Sequence, residues 1–218
     1  LETLRIQSNS LENINGLQNL KALNSIDLDA IKLKNIDGLA GCENLEDCKI
    51  NSEVLENLNG LKGCSKIKQL DTPSSSNSLI NLDGLAYMDG LRRINLCSNN
   101  FKFTQKIPQI KWLYINSKTK TLEGVGNFIN LTRVEIKTCT KLENLKGLEG
   151  AKNVESVVIQ DCKSLKDVGA LLSLPKLKIF KMRSCGIKKG ELPGHLKVMV
   201  ETTISYLDSL PYNFDDNT

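Results

Sequence analysis

The chain has 218 residues, room for one large or two small globular domains, and its composition is ordinary for a water-soluble protein at 40% apolar and 25% charged. A net charge of +4 from 29 basic and 25 acidic residues lacks the strong basic bias of a dedicated nucleic-acid binder, and no apolar run is long enough to span a bilayer. Seven cysteines form no CxxC pair, so neither a zinc finger nor a secreted disulfide framework is indicated.

An apolar template recurs along the whole chain. It places apolar residues at relative positions 1, 4 and 6, and it starts at Leu1, Leu23, Leu45, Ile67, Leu91, Ile110, Leu131, Val154, Leu177 and Leu196. The three segments from Leu131, Val154 and Leu177 (LTRVEIKTC, VESVVIQDC and LKIFKMRSC) are nearly superimposable, with starts 23 residues apart each time. A fixed period in this range marks a solenoid, in which each unit buries its apolar face only against its neighbours. Alternation at positions 4 and 6 predicts a short, half-buried strand in every coil.

The second half of the coils also recurs. It reads NINGL at 13–17, NIDGL at 35–39, NLNGL at 57–61, NLDGL at 81–85 and NLKGL at 144–148. The glycine suits a tight turn, and the flanking apolar residues, such as Ile36 and Leu39, are expected in the core. No long amphipathic helical pattern occurs, so the connections are expected to be turns, extended segments or single helical turns.

On these residues the chain resembles the leucine-rich repeat proteins of the short, 22-residue class, such as the bacterial internalins and the repeats of a protein phosphatase 1 regulatory subunit. The resemblance covers residues 1–195. It implies a right-handed α/β horseshoe of about ten coils, with a parallel β-sheet lining the concave side. Residues 1–195 form the solenoid in this reading, and 196–218 a degenerate last coil, cap and tail. The family's usual asparagine at position 9 survives at Asn9 and Asn99, but Cys139, Cys162 and Cys185 replace it in three coils. Those thiols are expected to stack about 5 Å apart as a reduced, buried ladder rather than as disulfides or a soft-metal site. Cys42 and Cys64 read as core filler on the convex side. An insertion, TPSSSNS at 72–78, and uneven coil lengths predict irregularity over Ile67–Phe103.

Chemistry is sparse. The single histidine, His195, sits beside Pro193 and Gly194, and no nucleophile has an evident base partner, so no enzymatic activity and no cofactor are expected. The sequon at Asn130 reads as chance, because Leu131 belongs in the core.

Positions 2, 3, 5, 7 and 8 are expected to face the concave side, in columns that run from coil to coil. Column three reads Thr3, Ser25, Asp47, Gln69, Arg93, Trp112, Arg133, Ser156 and Ile179. Column five reads Arg5, Asp27, Lys49, Asp71, Asn95, Tyr114, Glu135, Val158 and Lys181. An exposed Trp112 and Tyr114 beside Arg93 and Arg133 has the composition of a binding hot spot. Arg92, Lys111, Glu135, Val158, Lys181 and Arg183 complete the candidate partner-binding set, with Lys137 beside them. Asp27, Asp29, Glu46, Asp47 and Asp71 make the other half of the face acidic. The reading is a non-catalytic module that binds a protein partner, intracellular by its thiols and without membrane contact. Its alternatives are a structural subunit of a larger assembly, a nucleic-acid binder, and a secreted or pathogen-surface recognition protein.

Overall fold

The structure is a computed structural model that describes residues 1–73, 78–79, 82–97, 99, 101 and 103–197. Among these residues nine strands follow one another in chain order: β1 (Thr3–Gln7), β2 (Ser25–Asp29), β3 (Asp47–Asn51), β4 (Gln69–Asp71), β5 (Arg93–Leu96), β6 (Trp112–Ile115), β7 (Arg133–Lys137), β8 (Ser156–Gln160) and β9 (Ile179–Arg183), and every paired neighbour is parallel. Each strand returns to the next through a connection whose only helical pieces, among the described residues, are short 3₁₀ turns, as at Asp37–Leu39, Asn59–Leu61 and Gly169–Ser173. The expected count of ten coils is too high. Leu196 opens no strand among the described residues; it is buried in a helical turn over 194–197. The proposed cap and the loose tail lie outside the described residues, as does the middle of the 72–78 insertion.

Periodicity dictates the packing. Template positions 1, 4 and 6 fill one continuous core, for example Leu23, Ile26 and Leu28, or Ile110, Leu113 and Ile115, all but closed to solvent. Ile36 and Leu39 join them from the convex side, as do Cys42 and Cys64.

Glycine in the recurrent turn serves two different ends. Gly16 and Gly147 take the left-handed conformation expected of a tight turn, with φ of 98° and 102°. Gly38 and Gly60 do not. A Cβ at either would overlap the carbonyl oxygen of Ile14 or Ile36 in the preceding coil, so these glycines allow one 3₁₀ turn to press on the coil before it.

The concave sheet is split, although its core is not. Strands β1–β3 form one sheet and β4–β9 another. At other coil steps the backbone of residues just before a strand bonds to the preceding coil: Glu46 and Asp47 donate to the Asn24 carbonyl, and Arg92 and Arg93 to the Lys68 carbonyl. Among the described residues no such ladder joins β3 to β4. Two features of the sequence mark this step. Position 4 of the third coil is Cys48, where the other strands carry Leu, Ile, Val or Phe. Position 6 of the fourth coil is Thr72, whose hydroxyl donates to the Asn95 carbonyl and accepts from the Cys97 N–H, tying β4 to β5.

Candidate functional site

The strand register places both concave columns as the period predicts. Arg93, Trp112, Arg133, Ser156 and Ile179 are successive partners across β5–β9, and so are Asn95, Tyr114, Glu135, Val158 and Lys181. Trp112 and Tyr114 are half-buried and lie two residues apart on one strand, hence on one face.

Trp112 is clamped. The Arg93 guanidinium carbon lies 3.7 Å from the indole centroid and that of Arg133 lies 4.2 Å from it, one from each neighbouring strand. Both faces of the ring therefore meet cations, an arrangement worth about 0.5–2 kcal/mol per pair depending on solvent exposure. The Arg93 Nε–H also donates to Asn95 Oδ1 at 3.3 Å. The concave surface thus meets solvent with the edge of the indole and the outer edges of two guanidinia, rather than with an open aromatic face. The indole N–H is buried and has no acceptor among the described residues.

Glu135 departs from its expected exposure. It retains only 7% of its surface and sits between Arg133, 2.6 Å away, and Lys137, 3.5 Å away. It acts as the internal counter-ion of the cluster rather than as a free contact. Lys137 also lies 5.4 Å from the Tyr114 ring centroid. Arg92 departs too. It precedes β5, and its guanidinium donates to the carbonyls of Asp89 and Leu91, outside the Trp112 cluster. Lys111 is exposed just before β6. Val158 and Lys181 face the concave side half-buried, and Arg183 is exposed at the end of β9. Burial, and after it the Arg133 charge, lowers the Lys181 amine below its usual value.

The acidic half of the face is partly neutralised by its own neighbours. Arg5 pairs with Asp27 at 2.7 Å, and Asp29 accepts from Gln7 and Asn51. Asp71 accepts from Asn95 and Gln69. Glu46 lies 4.0 Å from Lys66 beside the β3–β4 split.

The thiol ladder stands at position 9, although not all of it is buried. Cys139 and Cys162 are closed to solvent, while Cys185, at the last strand, is partly exposed. Their thiols approach the Ile115, Ile136 and Ile159 carbonyls at 3.7, 3.9 and 3.9 Å, so each makes a weak link to a preceding coil. The hydrogen bond from Cys162 lowers the Cys139 thiol, and the same contact raises Cys162 to about 11. Asn99 makes the family's usual link, accepting from the Lys118 N–H at 2.8 Å. Elsewhere Ser52 and Ser117, at the supposedly outward position 8, are buried, and Ser52 donates to the Leu33 carbonyl at 2.7 Å. Sequence reasoning passed over these hydroxyls; a serine one place before the missing asparagine was the available signal.

No three of His, Cys, Asp and Glu are gathered to hold a metal ion among the described residues. Nor is any helix there long and apolar enough to cross a membrane. His195 is exposed in the 194–197 turn. At the sequon, Asn130 donates its amide to the Pro108 carbonyl and Leu131 is buried.

Neither a protein-family model nor a curated protein matches the chain. Solved structures do. Internalin C2 of Listeria monocytogenes aligns with a TM-score of 0.52 at 18% identity, covering 89% of this chain and 76% of that one. A leucine-rich repeat protein of Leptospira interrogans aligns with a TM-score of 0.59 at 15% identity over 98% of this chain, which spans 54% of that protein's length. The repeat, the parallel strands and these two likenesses agree that the chain folds as a leucine-rich repeat solenoid.

Proposed function

We propose that this solenoid is a non-catalytic module that recognises a protein partner on the concave face of β5–β9. The observation that supports it most is the Arg93–Trp112–Arg133 stack, in register with Tyr114 on a preformed sheet. Trp, Tyr and Arg are the residues that dominate binding energy in protein interfaces, above all near the centre of a patch. Here they stand on strands rather than loops, so little ordering cost attends binding. Lys137, Lys181 and Arg183 add positive charge around them and orient a partner of opposite sign.

The same stack speaks against an oligonucleotide ligand. A base binds an aromatic platform through an open ring face, and both faces of Trp112 are occupied by guanidinia. The structural-subunit alternative draws on a different observation. Tyr87 and Leu172, in the connections on the convex side, are 48% and 51% exposed, so that side offers apolar contacts.

The test is an affinity capture from native extract with wild type beside Trp112→Ala and the double change Arg93→Ala/Arg133→Ala. Circular dichroism first establishes that all three are folded. A partner captured by wild type and reduced at least tenfold with both variants is the expected result. Equal capture by all three sinks the concave reading and directs attention to the ends and the convex side.

A further inference from the structure

Strand β8 is low. Its concave residues Ser156 and Val158 are smaller than their register partners on either side, Arg133 and Glu135 on β7 and Ile179 and Lys181 on β9. With strands about 4.8 Å apart, short side chains between two rows of long ones leave a shallow trough along β8. One wall carries the Arg133 guanidinium and its buried counter-ion Glu135. The other carries Lys181 and the 42% exposed Ile179.

The charges of the walls do not balance. Glu135 is engaged by Arg133 and Lys137, and among the described residues no carboxylate lies within ion-pair distance of Lys181 or Arg183. Burial and then the nearby Arg133 charge lower the Lys181 amine, with Glu135 only partly offsetting them, so a further anion there would favour the ammonium form. Around Ser156 and Val158, the cations Arg133, Lys137 and Lys181 face the single carboxylate of Glu135 and leave a positive excess. In the register Ser156 stands between Arg133 and Ile179, and Val158 between Glu135 and Lys181, so Lys181 lies on the diagonal from Ser156, and Val158 and Ile179 supply the apolar surface.

We propose that the trough over β8 receives an Asp or Glu side chain of the partner, held between Arg133 and Lys181 over Ser156, with an apolar side chain next to it on Val158 and Ile179. This rests on the concave-face reading and supplies its partner's chemistry. A carboxylate meets this positive excess, whereas a doubly charged phosphoryl group would bring more negative charge against Glu135. Along an extended segment lying in the trough, side chains two residues apart share one face, so the acid and the apolar residue are spaced i and i+2.

The probe is a set of acetylated, amidated decapeptide libraries that differ at one fixed central position, Glu, Gln, Lys or phosphoserine. Leu is fixed two residues later and the other positions are randomised. Capture is measured on wild type, Lys181→Met and Trp112→Ala. Lys181→Met keeps the length of the side chain and removes only its charge. Wild type is expected to retain the Glu library about tenfold better than the Gln library, the discrimination that one charge-assisted hydrogen bond supplies. Lys181→Met is expected to level the two. Equal retention of Glu and Gln libraries, retention of neither, an acid preference that survives Lys181→Met, or a preference for phosphoserine over Glu each overturns the proposal. The two readings fail separately. Capture that drops with Trp112→Ala but ignores the fixed acid leaves the concave site and removes the trough. An acid preference that depends on Lys181 but not on Trp112 leaves the trough and removes the Trp-centred site.

Discussion

At the scale of single residues, burial of polar and ionisable groups decides most of what differs from coil to coil. Cys64 is the clearest case. It is closed to solvent between Leu61 and Ile67, and burial raises its thiol from about 9 to about 11, because the thiolate is poorly solvated there. A raised folded-state value means that the unfolded chain loses its proton first as pH climbs. The stability this thiol contributes is therefore whole below pH 9 and lost as pH rises through about 11. Urea unfolding between pH 8 and 11 should show wild type losing stability more steeply than Cys64→Ala, by at most about 1.4 kcal/mol per pH unit, one proton's worth. Parallel curves would mean that the thiol is solvated. The stack on Trp112 was legible in the sequence, because a strict period fixes which residues are cross-strand neighbours. The burial of Glu135 was not, because two flanking cations and not its template position enclose it. Arg92 was misplaced for a related reason: position 2 precedes the strand, where the nearest acceptors are loop carbonyls.

At the scale of the element, the convex turns depend on how closely one coil presses on the last. Gly60 and Gly63 lie three residues apart and separate the two reasons for glycine. Gly63 has φ of 83° with open space where a Cβ would stand, so alanine there meets only left-handed strain, about 1–2 kcal/mol. Gly60 has no such φ, but a Cβ would overlap the Ile36 carbonyl oxygen and approach the Asp37 nitrogen, both backbone atoms that cannot swing aside. Gly60→Ala should cost about 3 kcal/mol or more, since relief requires moving a whole coil. Urea midpoints of the two variants test the ranking, and a smaller loss for Gly60→Ala would contradict the packing argument. The recurrent NxxGL motif announced the turn but not its mechanism. A sequence shows where glycine recurs; only the register between coils shows whether φ or contact demands it. The asparagine ladder behaves likewise, its work divided among Asn99, Ser52 and three thiols.

At the scale of the whole molecule, a solenoid's stability is the sum of its coils and of the interfaces between neighbours, so its weakest interface sets where it opens. Among the described residues the apolar core is continuous from coil to coil, but the backbone ladder is missing between β3 and β4. The side chains there agree. Arg5 and Asp27 bridge β1 and β2 at 2.7 Å, whereas the equivalent opposite charges Lys49 and Asp71 on β3 and β4 form no ion pair among the described residues. By the register of the neighbouring steps, the amides of Gln69 and Asp71 would donate to β3 and here have no backbone acceptor on it, while those of Trp112 and Arg133 donate to Arg92 and Lys111. Hydrogen exchange should therefore find Gln69 and Asp71 exchanging at least tenfold faster than Trp112 and Arg133, although all four lie on interior coils. The Arg93–Arg133 cluster lies wholly in the six-stranded sheet, with Asp27 and Asp29 of β2 in the other. If the two sheets open separately, denaturant should unfold β1–β3 before β4–β9, and tryptophan fluorescence, which reports Trp112 on β6, should change later than far-ultraviolet circular dichroism. Coincident transitions would show that the continuous core couples the sheets despite the missing ladder.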